Sequence, residues 1–515
     1  MKSEILPTGA AAIENRNAPP LRATRLGIHT HSEAVVYMHT DCHVCRSEGL
    51  TPQSRVLLRA GTRETIATLH QVDFDWLEPD QAGLSEAAWD RLKVNEGDTI
   101  YVSHPKPVDS LSSVRSRIYG RHIASGEFHA IISDVVQGRY SDVHLSSFIT
   151  ACAALPLDGD ETVALTKAMV DVGERLTWNA SPILDKHSVG GLPGNRTTPI
   201  VVSIVAAHGL IMPKTSSRAI TSPAGTADTM ETMAPVVLDL PAIRRVVEQE
   251  GGCIVWGGAV RLSPADDVLI RIERALDVDS EGQLVASVLS KKIAAGSTHL
   301  VLDMPVGPTA KVRSAEAAQA LSQRLIQVAT VFDLKTTIVL SDGSQPVGIG
   351  IGPALEARDV LKVLQNSAGA PEVLKQRACR LAGALLELGG IADEGQGERL
   401  AGKTVDDGRA WIKFQRICEA QGGLRVPPVA THQHPLLAPA AGTVHAIDNR
   451  RIARLAKLAG APEIKAAGVE LHVQLGERVT AGQPICCVHA DTPGELNYSL
   501  EYAFANPGII EISRE

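Results

Sequence analysis

Apolar residues change their period along the chain, and those changes divide it. Up to Ser103 they come in short alternating groups, such as Ala34-Val35-Val36-Tyr37-Met38 and Val56-Leu57-Leu58. That is the period-two signature of half-buried strands. Val94 to Val102 reads as a turn at Asn95-Glu96-Gly97-Asp98 followed by a strand, so residues 1–104 are expected to form a small β-rich domain. His104-Pro105-Lys106-Pro107 marks its end, because a residue before proline is pushed out of the helical region. The spacing then becomes helical. Leu165, Met169, Val172 and Leu176 share one face at 3.6 residues per turn, and Asp158-Gly159-Asp160 supplies a start signal. Residues 105–178 are therefore read as a helical lobe.

From Ser181 to about Leu424 strands alternate with helices, the pattern of an α/β layer built on parallel strands, assigned to 179–428. Leu300-Val301-Leu302-Asp303 and Thr336-Thr337-Ile338-Val339-Leu340 are two of its strands. Val426-Pro427-Pro428 with the polar run Thr431 to Pro435 reads as a linker. In 429–515 two glycine-turned strand pairs flank a helix near Arg450 to Ala459. This α+β domain is similar to the small barrel of biotinyl-carrier domains, but no lysine stands at a hairpin tip, so a structural or assembly role is expected. The fold class is thus α/β and multidomain.

Composition narrows the class of function. At 515 residues, 44% hydrophobic and 21% charged, the chain is an ordinary globular protein too long for one core. A net charge of −8 argues against a general nucleic-acid binder, which would carry a basic face. No apolar run reaches the roughly 18 residues of a membrane helix; the longest, near Ile200 to Met212, is broken by Ser203 and His208. Met1 to Pro20 lacks the basic start and apolar stretch of a secretory signal, so a cytoplasmic location is expected. The eight cysteines are scattered. Cys42-His43-Val44-Cys45 is a CxxC without a second pair or thioredoxin-like surroundings, so neither a zinc site nor a redox pair is expected.

The candidate chemistry begins at Asp185-Lys186-His187-Ser188-Val189-Gly190-Gly191-Leu192-Pro193-Gly194. Pro182-Ile183-Leu184 precedes it as a short strand. Thr198 to Ala207 follows as a buried helix, with a threonine cap and a proline in its first turn. Strand, glycine loop and helix N-terminus together form a phosphate cradle. Lys186 adds charge, Ser188 a hydroxyl, and His187 a proton-exchanging group. A second loop, Ser216-Ser217-Arg218-Ala219-Ile220-Thr221-Ser222-Pro223-Ala224-Gly225-Thr226, leads into a helix capped by Thr226. Its hydroxyls and Arg218 suit an anionic ligand. Ser287 and Lys291 lie one helical turn apart and face the same way. For Arg271 the ordinary alternative is a surface ion pair, and for Asp279 a turn or cap. Gly348-Ile349-Gly350-Ile351-Gly352 is GxGxG rather than GxGxxG and does not directly follow a strand, so no nicotinamide site is assigned there.

Taken in order, these motifs resemble the thymidine phosphorylase family of nucleoside phosphorylases. The second loop and the added N-terminal domain are similar to the branch that holds AMP phosphorylases and bacterial type 2 thymidine phosphorylases. The resemblance implies two lobes with the site between them, residues from about 265–296 returning to the helical one. It implies that Lys186, Ser188, Thr198, Ser216 and Thr226 hold inorganic phosphate, and that Arg271, Ser287 and Lys291 reach the base. In the nucleotide-using branch Gly191, Ser217, Arg218, Ala219, Ile220, Thr221, Ser222, Thr226, Ser287 and Lys311 correspond to nucleotide contacts. Lys186, His187 and Asp279 would be catalytic, with His187 or Asp279 giving the proton.

Phosphate is then a co-substrate. No cofactor or metal is expected, the partner is a nucleoside or nucleoside 5′-monophosphate, and a homodimer or larger homo-oligomer is implied. A phosphoribosyltransferase would instead need magnesium and acidic ligands, and the loops hold no clear acidic pair. A carrier or scaffold would not require Lys186-His187-Ser188 and Thr226.

Overall fold

The computed structural model describes residues 19–31, 33–219, 222–278 and 280–513. They fall into two units. One runs up to Asp109 and takes in Gln137–Ser141; the other comprises Ser110–Val136 and everything from Asp142. The proline-rich boundary expected at 104 thus lies a few residues later.

In the first unit, β1 (Leu21–Arg25), β2 (Val35–His39), β3 (Arg55–Ala60), β4 (Arg63–Val72), β5 (Gln81–Leu84) and β6 (Thr99–Ser103) close into a barrel. Their order is β1-β5-β2-β4-β3-β6. The alternating residues Leu21 and Ala23, Val36 and Met38, and Val56 and Leu58 fill its interior. Period-two patterning thus becomes a packed lumen. Cys42 and Cys45 are buried free thiols at the start of the short helix His43–Glu48.

The second unit begins with helices Leu111–Ile118, Ser125–Val136, Asp142–Ala154 and Gly159–Asp171. Asp158 and Glu161 form a reciprocal capping box on the last of these. Helices Pro264–Leu276 and Glu281–Ala294 pack back onto this bundle. The α/β part has strands β7 (Leu184–Ser188), β8 (Met212–Ser216), β9 (Gly252–Trp256), β10 (His299–Val306) and β11 (Lys335–Asp342). β7, β10 and β11 run parallel, as do β8 and β9. A parallel Ile183–Ile211 bridge joins the two groups. Leu300, Val301, Leu302 and Met304 of β10 are buried on both faces, as a strand covered on two sides must be.

Helix Thr198–Ala207 is apolar all round and lies inside the main core, against helices Glu372–Leu388 and Arg409–Gln421. Loops leaving β7, β8, β10 and β11 all emerge at the carboxyl edge, where open parallel sheets bind ligands.

The C-terminal part holds two small sheets and the helix Asn449–Leu458. Gly350-Ile351 of the glycine run pairs antiparallel with Gly468–Leu471, so that run is an edge strand rather than a phosphate loop. No described helix is long and apolar enough to cross a membrane.

Candidate active site

The strand expected to stop at Leu184 runs on through Ser188. Alternation along it divides the motif. Asp185 and His187 meet one set of lysines; Lys186 and Ser188 face the glycine loop.

Lys186 is buried and donates from Nζ to Thr197 Oγ1 at 2.8 Å. The hydroxyl that meets Lys186 is that of Thr197, one residue before Thr198. The helix begins at Thr198 with Thr197 in the capping position, and Thr197 makes no side-chain capping bond. Ser188 Oγ donates to Asp303 Oδ2 at 2.6 Å and accepts from Asn195 Nδ2 at 2.9 Å. Its proton is engaged by Asp303 in this arrangement. Asp303 also accepts from Asn195 Nδ2 at 3.0 Å and from Ser341 Oγ at 2.6 Å. One carboxylate on the central strand thereby fixes the glycine loop and β11.

On the opposite face, Asp185 lies between Lys214 Nζ at 3.1 Å and Lys292 Nζ at 2.9 Å. All three are buried. Burial opposes ionisation of Asp185, but the two lysines outweigh it and hold the carboxyl below its usual range. Burial pushes Lys292 down to about 7 and Lys186 to about 8. His187 is held well below the ordinary histidine value, by burial first and then by Lys292, Lys214, Lys291 and Lys186. It is therefore neutral near pH 7, which argues against an imidazolium acid in this arrangement. Lys186, Lys214, Lys292, Arg196 and Arg377 face Asp185, Asp303 and Glu356 across this network. Cations are in excess, which suits an anion.

The second loop begins at Ser216, whose Oγ is buried without a partner at the end of β8. A buried hydroxyl with no partner among the described residues, at the end of a strand next to β7, suits a ligand oxygen. Gly225, not Thr226, occupies the helix cap; Asp228 takes the Gly225 N–H at 3.0 Å. This leaves Thr226 Oγ1 to accept from Arg196 Nη1 at 2.8 Å.

Arg196 bridges the two loops. It bonds Glu356 at 2.6 Å and the Ala224 carbonyl at 2.8 Å. Arg196→Met should lower kcat/KM about 100-fold or more, because both loops lose a shared anchor and Glu356 is left buried and unpaired. Steady-state kinetics with both co-substrates varied checks this.

Arg218 differs most from expectation. It forms a forked pair with Glu231 at 2.7 Å for each bond, reaches Asp228 at 3.1 Å and lies over the Trp256 ring. Its charge is spent within the protein rather than offered to an anion. Ser222 Oγ bonds the Ala224 carbonyl at 2.9 Å, and the Ser217 carbonyl accepts the Ala227 N–H at 3.3 Å. The Ala219 N–H donates to Asp228. Ile220, Thr221 and Asp279 lie outside the described residues.

On the helical side, Ser287 and Lys291 are partly exposed on one face of Glu281–Ala294. Lys291 is paired with the buried Asp266. Arg271 makes a forked pair with Asp142 at 2.7 and 2.8 Å, an exposed ion pair rather than a contact directed at a base. Gly191 has a left-handed φ of 55°. A side chain on Gly190 (φ 120°) would stand 3.2 Å from the Lys311 Cβ, so this glycine lets Lys311 close on the loop.

Asn195, Arg196, Thr197, Asp303, Lys214, Lys292 and Glu356 were not singled out from the sequence. Asp303 had left a signal, as a lone carboxylate within the apolar run Leu300 to Val306. So had Lys214, set in a strand buried throughout.

Three family models match. They are the glycosyl transferase family helical bundle domain at 112–173, the glycosyl transferase family a/b domain at 180–411, and the pyrimidine nucleoside phosphorylase C-terminal domain at 443–506. A protein named "Putative thymidine phosphorylase" from Chelativorans sp. (strain BNC1) is 63% identical, covering 96% of this chain and 97% of its own. One of the same name from Tolumonas auensis is 60% identical, over 96% and 98%.

Among solved structures, anthranilate phosphoribosyltransferase from Thermus thermophilus superposes with a TM-score of 0.51 at 18% identity. It covers 60% of this chain and 99% of that one, a likeness of fold alone. Three matched domains in order and near-full-length identity of this degree make the chain a member of the thymidine phosphorylase family.

Proposed function

We propose that the protein catalyses phosphorolysis of the N-glycosidic bond of a thymidine-type pyrimidine nucleoside. A phosphate oxygen attacks C1′ and the C1′–N bond breaks. Its electron pair leaves with the base, which is then protonated, and pentose 1-phosphate remains. The observation that carries this reading is the buried Lys186 on β7, with a Ser216 Oγ that has no partner among the described residues at the end of the neighbouring β8. Lys186, Ser188, Thr198, Ser216 and Thr226 are the groups proposed to hold the phosphate, with Thr197 bonded to Lys186. The loop's backbone N–H groups and the helix start assist them.

The transition state is oxocarbenium-like, so its cost falls when phosphate is held close and the departing charge is met. Lys291 and Ser287 are assigned to the base. A phosphate dianion entering among the lysines raises the proton affinity of neutral His187, so the proton arrives with the nucleophile. Asp279 is the other candidate donor.

A second reading is a nucleoside 5′-monophosphate substrate, giving pentose 1,5-bisphosphate. The hydroxyl of Ser217 and the approach of Lys311 to Gly190 favour it. The internal pairing of Arg218 favours the nucleoside.

Incubation with thymidine, uridine, AMP, CMP and UMP, with and without phosphate, should show phosphate-dependent base release. Release from AMP but not thymidine would select the nucleotide. No release from any of them would reject phosphorolysis.

The apparent KM for phosphate should rise as pH passes upward through about 8. Lys186 is charged below that value and neutral above it. Bound phosphate favours the charged form, so the rise begins near 8 and levels off at higher pH. A KM that falls across this range contradicts the assignment.

A further inference from the structure

The second loop is tied to the C-terminal part of the chain through one side chain. Asp228 gathers both ends of the loop on a single oxygen. Its Oδ2 accepts the Ala219 N–H at 2.6 Å and the Gly225 N–H at 3.0 Å. Its Oδ1 accepts Arg218 and Lys465, each at 3.1 Å. Lys465 also lies 3.2 Å from Glu231, the carboxylate that grips Arg218. Asp228 and Glu231 are one helical turn apart and would repel each other. Two cations balance them, and one of those, Lys465, comes from more than two hundred residues along the chain.

Lys465 itself is held firmly. Its carbonyl accepts the Ala354 N–H at 2.9 Å. Close by, a side chain on Gly468 would stand 2.1 Å from the Ile351 carbonyl oxygen, so the two backbones touch. Ala354 opens the helix Pro353–Leu364, and Glu356 of that helix holds Arg196. Arg196 in turn holds Thr226 and Ala224. The loop is therefore gripped twice, at Asp228 and at Thr226, from one anchorage where the C-terminal part meets the α/β part.

We propose that Lys465 is a positioning residue for the Ser216 to Thr226 loop, and that the C-terminal domain serves the active site through it. The kinetic consequence rests on the function proposed above; the structural one does not.

The test uses the full chain carrying Lys465→Met or Lys465→Arg. Hydrogen exchange of the Ala219 and Gly225 amides should be about tenfold or more faster in Lys465→Met, and close to wild type in Lys465→Arg. The KM for nucleoside should rise about tenfold, with a smaller change in kcat, and recover in the arginine variant. Thermal stability should fall only modestly, because the buried Asp228 keeps Arg218 and two amide donors when the partly exposed Lys465 is removed.

Unchanged exchange in Lys465→Met overturns the proposal whatever the activity. So does a rise in KM that Lys465→Arg leaves uncorrected. If the wild-type enzyme turns over no nucleoside or nucleotide, the proposed function fails, and the exchange result still decides the clamp.

Discussion

Lys186→Ala is expected to lower kcat/KM by on the order of 10³-fold while leaving the fold intact. Removing one preorganised group that meets developing charge in a dry site costs about 10²–10³-fold. Lys186 also sets the charge of the phosphate pocket. Its side chain is buried, donates to the Thr197 hydroxyl and faces the Asp303 carboxylate. Burial has already driven its proton affinity down to about 8, which is strain that a bound anion would relieve. Deleting it removes a charge that the fold holds at a cost but also a counter-charge of the buried Asp303, so the two effects oppose and the net change in stability should be small. Circular dichroism melts beside steady-state kinetics separate the two effects. Near-normal turnover in the alanine variant would remove Lys186 from the phosphate site.

Asp185→Asn should do the opposite and damage the fold. Asp185 is the shared counter-ion of Lys214 and Lys292, all three buried. Breaking a buried ion network from one side costs about 3–5 kcal/mol. The deficit should depend on pH. Burial already depresses the proton affinity of Lys292 and would depress it further without the carboxylate, whereas an unfolded lysine titrates near the ordinary value of about 10.4. Between those limits the unfolded chain binds more protons, so the variant gains stability as pH rises. Urea midpoints at pH 6 and pH 9 should show a larger loss at pH 6. Equal losses would mean that Lys214 and Lys292 do not carry the charge assigned to them.

These two variants share one lesson about β7. Asp185 and Lys186 are neighbours in sequence, yet strand alternation sends one to the joint with helix Glu281–Ala294 and the other to the phosphate loop. The sequence made the glycine loop, the following helix and the parallel layer legible, because glycine, proline and apolar period are local signals. It placed each helix cap one residue late, at Thr198 and Thr226 where Thr197 and Gly225 stand. Hydroxyl preference at caps does not fix which hydroxyl turns toward a lysine.

What local pattern could not show was partnership over distance. Arg218 looked available for an anion because Glu231 and Asp228 lie a helix away from it, and Lys465 still farther. Arg271 looked poised for a base until Asp142 met it. Asp303 was invisible as a hub because Ser188, Asn195 and Ser341 come together on it only when three strands align.

The central claim is that the anion held beside Lys186 is the nucleophile. The direct measurement is to supply isotopically labelled inorganic phosphate with thymidine and with AMP, and to follow label and free base together. One labelled phosphate should appear at C1 of the sugar for every base released, from at least one substrate and without added magnesium. Base released with no label in the sugar, or a reaction that needs pyrophosphate and magnesium, would contradict it.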